Sequence, residues 1–144
     1  MKPRLLIIED DPRYRELLAQ MLGAEFDLEM AATLTWGLEL QANTRFDCTL
    51  LDIGLPDSVP AKTFSIFKDH FPEAPVIIVT CNDDPSAIAA HLRLSACGYI
   101  IKGRSDNPET LGAAIRSAIN DHRSCHKLEA ATEILSSAPL PEKR

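Results

Sequence analysis

The 144 residues of this chain suffice for one domain that buries about two-thirds of its unfolded surface, and leave no room for a second. Hydrophobic residues at 45% and charged residues at 25% exclude a chain that is disordered throughout, and are otherwise ordinary for a globular protein. A net charge of -6, with a sequence pI near 5.1, excludes the broad basic surface that tracks nucleic-acid phosphates, so no direct nucleic-acid binding is expected.

The first apolar run, residues 5–8, meets Glu9 after four residues. It is too short for a signal peptide's apolar core or a membrane span, so it predicts the first strand of a cytoplasmic protein without a membrane attachment. Asp11-Pro12 then supplies an acidic N-cap and a proline for the first turn of a helix that ends at Gly23. Tyr14, Leu17, Leu18, Met21 and Leu22 are expected on its buried face. A weaker run over residues 26–31 predicts a second strand. A second helix follows Thr33, with Leu34, Leu38 and either Leu40 or Trp36 turned inward.

The run at residues 47–51 stops on Asp52 and turns through Ile53-Gly54-Leu55-Pro56-Asp57. Short apolar runs closed by Gly and Pro read as buried parallel strands, because helices cover both of their faces. The third helix, after Val59-Pro60, carries Phe64, Phe67 and Phe71 at a helical spacing that predicts a buried face rather than a cofactor slot. A fourth strand is expected at residues 76–79. Asp84-Pro85 opens a fourth helix with Ile88, Leu92 and Leu94 facing the sheet. A fifth strand at residues 99–101 precedes a fifth helix opened by Asn107-Pro108, with Leu111, Ile115 and Ile119 inward. Five strands alternating with helices imply an α/β fold, a doubly wound parallel sheet.

The expected domain covers residues 1–122. Residues 123–144 read as a helical extension and a frayed Pro-rich tail, either a linker or the natural end of the chain. Leu128 and Leu135 lie one heptad apart, which permits a short helix contact and, at most, a weak homodimer. Cys48, Cys81, Cys97 and Cys125 show no CxxC spacing, and three of them fall in or beside core segments, so they are read as reduced apolar residues. His122, Cys125 and His126 lack a fourth ligand and a glycine-bounded knuckle, so no zinc site is expected there.

Four of the predicted strands end on a polar group: Glu9-Asp10-Asp11, Asp52, Thr80 and Lys102. In open α/β sheets the crevice beyond such ends binds ligands. If the first and third strands are neighbours, about 4.8 Å apart, Asp10 and Asp52 converge, and a hard divalent cation, Mg2+ for preference, would relieve their repulsion. A carboxylate beside such an ion can attack a phosphoryl group. A lysine and a hydroxyl can hold the phosphoryl oxygens. The parts suit a phosphoaspartate site.

Residues 5–11 (LLIIEDD), 50–57 (LLDIGLPD), 76–80 (VIIVT) and 98–103 (GYIIKG) closely resemble the receiver domain of bacterial two-component response regulators, over about residues 3–122. The resemblance implies a flavodoxin-like (βα)5 sheet of order 2-1-3-4-5. It implies Asp52 as phosphoacceptor, and Mg2+ held by Glu9, Asp10 and Asp52 with the Gly54 backbone carbonyl. Thr80 and Lys102 would contact the phosphoryl group, and Tyr99 would be a switch whose rotamer follows Thr80. The partner implied is a sensor histidine kinase or phosphotransfer protein, and the output is a changed affinity of the face formed by helix four, strand five and helix five for a partner the sequence leaves unnamed. Such a protein is no enzyme in the ordinary sense, beyond autophosphotransfer and slow self-dephosphorylation. The rival reading is a phosphate-independent interaction module with the same fold, against which the intact Asp10, Asp52, Thr80 and Lys102 speak. One departure from the family's pattern follows Lys102, where Gly103 replaces the usual proline and frees the last loop.

Overall fold

The computed structural model describes the backbone of residues 2–136 and the side chains of residues 2–122. Strands and helices alternate as β1 (Arg4–Ile8), α1 (Pro12–Leu22), β2 (Asp27–Ala31), α2 (Leu34–Asn43), β3 (Cys48–Leu51), α3 (Pro60–His70), β4 (Val76–Thr80), α4 (Pro85–Arg93), β5 (Gly98–Ile101) and α5 (Pro108–Ser136). Every strand pair is parallel, and the order is β2-β1-β3-β4-β5, as the resemblance implies. Among the described residues no helix is long and apolar enough to cross a membrane.

The alternation of strand side chains divides the core into two layers. Leu5, Ile7, Leu50, Ile77, Val79 and Ile100 meet Leu18 and Leu22 of α1 and Leu111 and Ile115 of α5. Leu6, Ile8, Leu51, Val76 and Ile78 meet Leu34 of α2 and Phe64 and Phe67 of α3 on the other side. Each such side chain contributes about 1.5–3 kcal/mol by leaving water. This burial on both faces is why β3 and β4 read as unbroken apolar runs. The helix starts follow the predicted caps: Asp11, Thr33 and Asp84 accept hydrogen bonds from the amides of Arg13, Trp36 and Ser86.

Several inward assignments are corrected. Trp36 is half exposed, because it lies two residues, about 200°, around the helix from buried Leu34. The backbone of Gly37 takes the place that a side chain would need: a Cβ there would fall 2.7 Å from Ile8 Cγ1. Leu17 sits at the margin of the α1 stripe and is exposed. In α4 the buried residue is His91, whereas Leu92 and Leu94 are exposed. The His91 ring is wedged edge-on against Phe64, centroids 5.7 Å apart, and lies 5.8 Å from Tyr99, so aromatic packing sets the phase of this helix. Gly23 caps α1 in a right-handed conformation, φ -65°, so no left-handed turn ends that helix. Cys48 is buried, but Cys81 and Cys97 are exposed free thiols, since both lie just outside strands. Residues 137–144, and the side chains of Cys125, His126, Leu128 and Leu135, lie outside the described residues.

Candidate functional site

The carboxyl ends of β1, β3, β4 and β5 meet at one edge of the sheet. Ile8 pairs with Leu51, and the Asp52 amide donates to the Ile8 carbonyl at 3.0 Å, so Glu9 and Asp52 leave adjacent strands side by side. At the far side the Lys102 amide donates to the Thr80 carbonyl at 2.8 Å, which extends the β4–β5 pairing by one residue and starts the lysine toward the acids.

Glu9 and Asp52 are both buried, at 2% and 7% exposure, whereas Asp10 is exposed. The Asp11 amide donates to Glu9 Oε2 at 3.1 Å, and the Gly54 amide donates to Asp52 Oδ1 at 2.9 Å. Lys102 Nζ lies 2.8 Å from Glu9 Oε1 and 3.4 Å from Asp52 Oδ2. The first contact is an ion pair without hydrogen-bond geometry, so Glu9 Oε1 is buried with no hydrogen-bond donor among the described residues. Burial pushes the Glu9 carboxyl up to about 7, a rise that Lys102 opposes and the Asp52 charge reinforces. Burial lowers the Lys102 ammonium, but Glu9 and Asp52 outweigh it and hold the group above the usual lysine range.

One carboxylate oxygen from each of Glu9, Asp10 and Asp52 lies within 4.8 Å of the others. Three carboxylate oxygens at that spacing suit a hard cation such as Mg2+ that takes oxygen ligands and keeps several waters.

Thr80 is buried, and its Oγ1 accepts the Asn82 amide at 3.3 Å, which leaves the hydroxyl hydrogen to donate elsewhere. Tyr99 stands apart from the charged cluster, packed against the α2/α3 layer, and its Oη is buried without a hydrogen-bond partner among the described residues. The structure thus gathers Glu9, Asp10, Asp52 and Lys102 and sets Tyr99 on the opposite side of the sheet.

Four residues have roles that the sequence reading does not assign. Tyr14 of α1 lies under Lys102, with Nζ 4.5 Å from its ring centroid, and its hydroxyl donates to Asp106 Oδ2 at 2.8 Å. Burial and the Asp106 carboxylate both raise the Tyr14 phenol far above its usual value. Burial raises the Asp106 carboxyl, but the Gly103 amide and the Tyr14 hydroxyl bring it below the usual range. Asp57 accepts the Leu34 and Thr35 amides at 2.8 and 2.9 Å, so the loop after β3 caps α2 from outside that helix. His91 is the fourth. No local signal singles out Tyr14, Asp106 or His91, since each acts on a residue distant in sequence; Asp57 stands in a quoted motif, but its target is 23 residues away.

The family model for the response regulator receiver domain matches residues 5–116. The oxygen regulatory protein NreC of Staphylococcus aureus is 30% identical over 118 residues, 79% of this chain and 54% of that protein, so the chain spans about half the length of this relative. A CheY-like receiver domain protein from Methanospirillum hungatei superposes with a TM-score of 0.76 at 28% identity, over 86% of this chain and 98% of that one. The signal receiver domain of a putative LuxO repressor protein from Vibrio parahaemolyticus gives 0.79 at 18% identity, over 90% and 98% respectively, a likeness of fold. With that match over most of its length, and with an acidic crevice at the edge of a 2-1-3-4-5 parallel sheet, the chain belongs to the response regulator receiver domain family, the signalling switches of two-component systems.

Proposed function

We propose that Asp52 is the phosphoacceptor of this chain. The observation that carries the reading is the setting of its carboxylate: buried at the end of β3, with Lys102 Nζ 3.4 Å from Oδ2 and the oxygens of Glu9 and Asp10 at metal-ligand spacing. One Asp52 oxygen attacks the phosphorus of a phosphohistidine on a sensor histidine kinase or phosphotransfer protein, the P–N bond breaks, and the imidazole leaves. Mg2+ bound by Glu9, Asp10 and Asp52, with the Gly54 carbonyl, would neutralise the charge that attacker and phosphoryl group share. Lys102 then holds one phosphoryl oxygen by its charge, and the Thr80 hydroxyl donates to another. Slow attack by water on the acyl phosphate resets the switch.

Movement of Thr80 toward the phosphoryl group empties space beside β5 that the Tyr99 ring fills. The buried, unpartnered Tyr99 Oη supports this, because such a group has a hydrogen bond to gain by moving. The output is altered binding at the α4/β5/α5 face. The domain ends near residue 122, residues 123–136 extend α5 beyond it, and the protein works in the cytoplasm.

Incubation of the full chain with Mg2+ and acetyl phosphate should add one phosphate, about 80 Da, and Asp52→Asn should abolish it. Absence of that adduct, together with failure to form a beryllofluoride complex, would overturn the reading. Lys102→Ala should leave Mg2+ affinity close to that of the wild type yet weaken the response of Tyr99. Equal loss of metal binding would show that the lysine supports the ion instead.

A further inference from the structure

The ammonium of Lys102 has a third neighbour besides its two carboxylates, and that neighbour carries no charge. The Tyr14 ring presents its face to Nζ at 4.5 Å from the centroid, well inside the range of a cation–π contact. The ring is held from its far end, because the Tyr14 hydroxyl donates to Asp106 Oδ2 at 2.8 Å. Asp106 lies in the loop that connects β5 to α5, four residues beyond Lys102. A tyrosine from α1 is therefore fastened to the loop that carries the lysine.

The loop backbone leaves the Lys102 side chain itself unrestrained. Gly103, directly after Lys102, has φ +80°, and a Cβ at this position would meet nothing within 4 Å, so neither sterics nor packing restrains the backbone beside the lysine. The loop's other ties are the Gly103 amide, which donates to the Asp106 carboxylate, the Ser105 hydroxyl, which accepts the Ile101 amide at 2.9 Å, the Arg104 and Ser105 amides, which donate to the Ile101 carbonyl, and an exposed ion pair from Arg104 to Asp83 at 2.6 Å. None of these reaches the Lys102 side chain, whose four-carbon stem is flexible.

We propose that Tyr14 is a positioning residue for Lys102, keeping its ammonium over the acidic crevice while the charges on Glu9 and Asp52 change. This rests on the reading of Asp52 as phosphoacceptor. Ion pairing fixes Lys102 only as long as the carboxylates are free to attract it. A cation shared by Glu9, Asp10 and Asp52, or a phosphoryl group on Asp52, alters that attraction. The attraction of an aromatic face for an ammonium depends on none of those groups, so it persists through the cycle and holds Nζ within reach of a phosphoryl oxygen.

The test compares the full-length wild type, Tyr14→Phe and Tyr14→Leu, each with Lys102 intact and with Lys102→Met, by the rate of adduct formation from acetyl phosphate and Mg2+. NMR of the Lys102 side chain accompanies it. Tyr14→Leu should slow phosphorylation about fivefold, and Tyr14→Phe, which keeps the ring, should stay within about twofold of the wild type. In the Lys102→Met background Tyr14→Leu should add nothing. The Lys102 ε-methylene protons should be shifted upfield by the ring in the wild type and Tyr14→Phe, and return to ordinary positions in Tyr14→Leu.

The proposal is overturned if Tyr14→Leu reacts at the wild-type rate, if it slows the Lys102→Met protein as much as the wild type, or if the upfield shift is absent. A wild type that takes up no phosphate at all overturns the reading of Asp52 and this inference with it. That outcome is distinct from a wild type that reacts while Tyr14→Leu keeps pace with it.

Discussion

On the α1/α5 flank of the site, Lys102 touches two carboxylates and an aromatic ring, and the hydroxyl of that ring is bonded to Asp106. On the α4 flank, Tyr99 Oη and His91 Nδ1 are buried with no hydrogen-bond partner among the described residues. An unpartnered buried polar group costs about 1–3 kcal/mol, whereas a made hydrogen bond contributes about 1 kcal/mol. On the lysine flank the one buried oxygen without a hydrogen bond, Glu9 Oε1, has an ammonium 2.8 Å away, whereas the two unpartnered groups on the flank of the proposed switch face no charge of opposite sign in an ion pair among the described residues. Rearrangement on the α4 side can gain hydrogen bonds for two neutral groups, and on the α1/α5 side it disturbs two ion pairs and the Tyr14–Asp106 hydrogen bond.

The largest expected effect concerns the charge that the lysine flank must balance. The Glu9 carboxyl is raised by burial from 4.5 to about 7, so its contribution to stability is full below pH 4.5 and is lost as the pH rises through 7. Glu9→Gln removes the cost of the buried charge, and should make the metal-free protein more stable at pH 8 by about 2–3 kcal/mol. Urea unfolding at pH 8 and pH 5 checks this, and equal effects at the two pH values would show that Glu9 is not the source.

Next come the two tyrosines. Tyr14→Phe breaks a bond to Asp106 and should cost about 1 kcal/mol, while Tyr99→Phe deletes a hydroxyl with no hydrogen-bond partner among the described residues and should leave stability unchanged or slightly higher. Thermal unfolding of both variants decides it. Equal costs would erase the difference between the flanks.

Asp57 shows that the slack lies at α4 rather than throughout its layer, since it ties the loop after β3 to the start of α2. Burial raises its carboxyl, but the Thr35 and Leu34 groups outweigh this and hold it below the usual range. Its contribution is therefore present above the unfolded value and is lost as the pH falls through the folded one. Asp57→Ala should cost about 1 kcal/mol at pH 7 and progressively less in acid. A cost that does not change down to pH 3 would point to packing instead of capping.

The smallest effect is expected at Ser95, which links α4 to β5 with φ +81°. Ser95→Gly relieves the left-handed strain but loosens the unfolded chain, so the net gain should be about 0.5 kcal/mol. A loss of stability would mean that the Ser95 side chain is needed where it stands.

Much of the site was legible because its residues sit next to strong local signals. Glu9, Asp52, Thr80 and Lys102 each follow an apolar run, and an apolar run followed by a polar residue locates a strand end without any tertiary information. The inward faces of α1 and α2 were less legible at Leu17 and Trp36, where an apolar residue at the wrong helical phase faces water. In α4 a histidine displaced Leu92 from the interior, because its ring fits between Phe64 and Tyr99.

By itself the sequence determined the order of strands and helices, most of their caps and the polar group at four of the five strand ends, since these depend on periodicity and on neighbours within a few residues. Only the tertiary structure decided which of these groups touch. The pairing of Lys102 with Glu9, the ring of Tyr14 beneath it and the capping of α2 by Asp57 join residues 23 to 93 positions apart. Such contacts follow from how the sheet brings its strand ends together, and no local pattern encodes them.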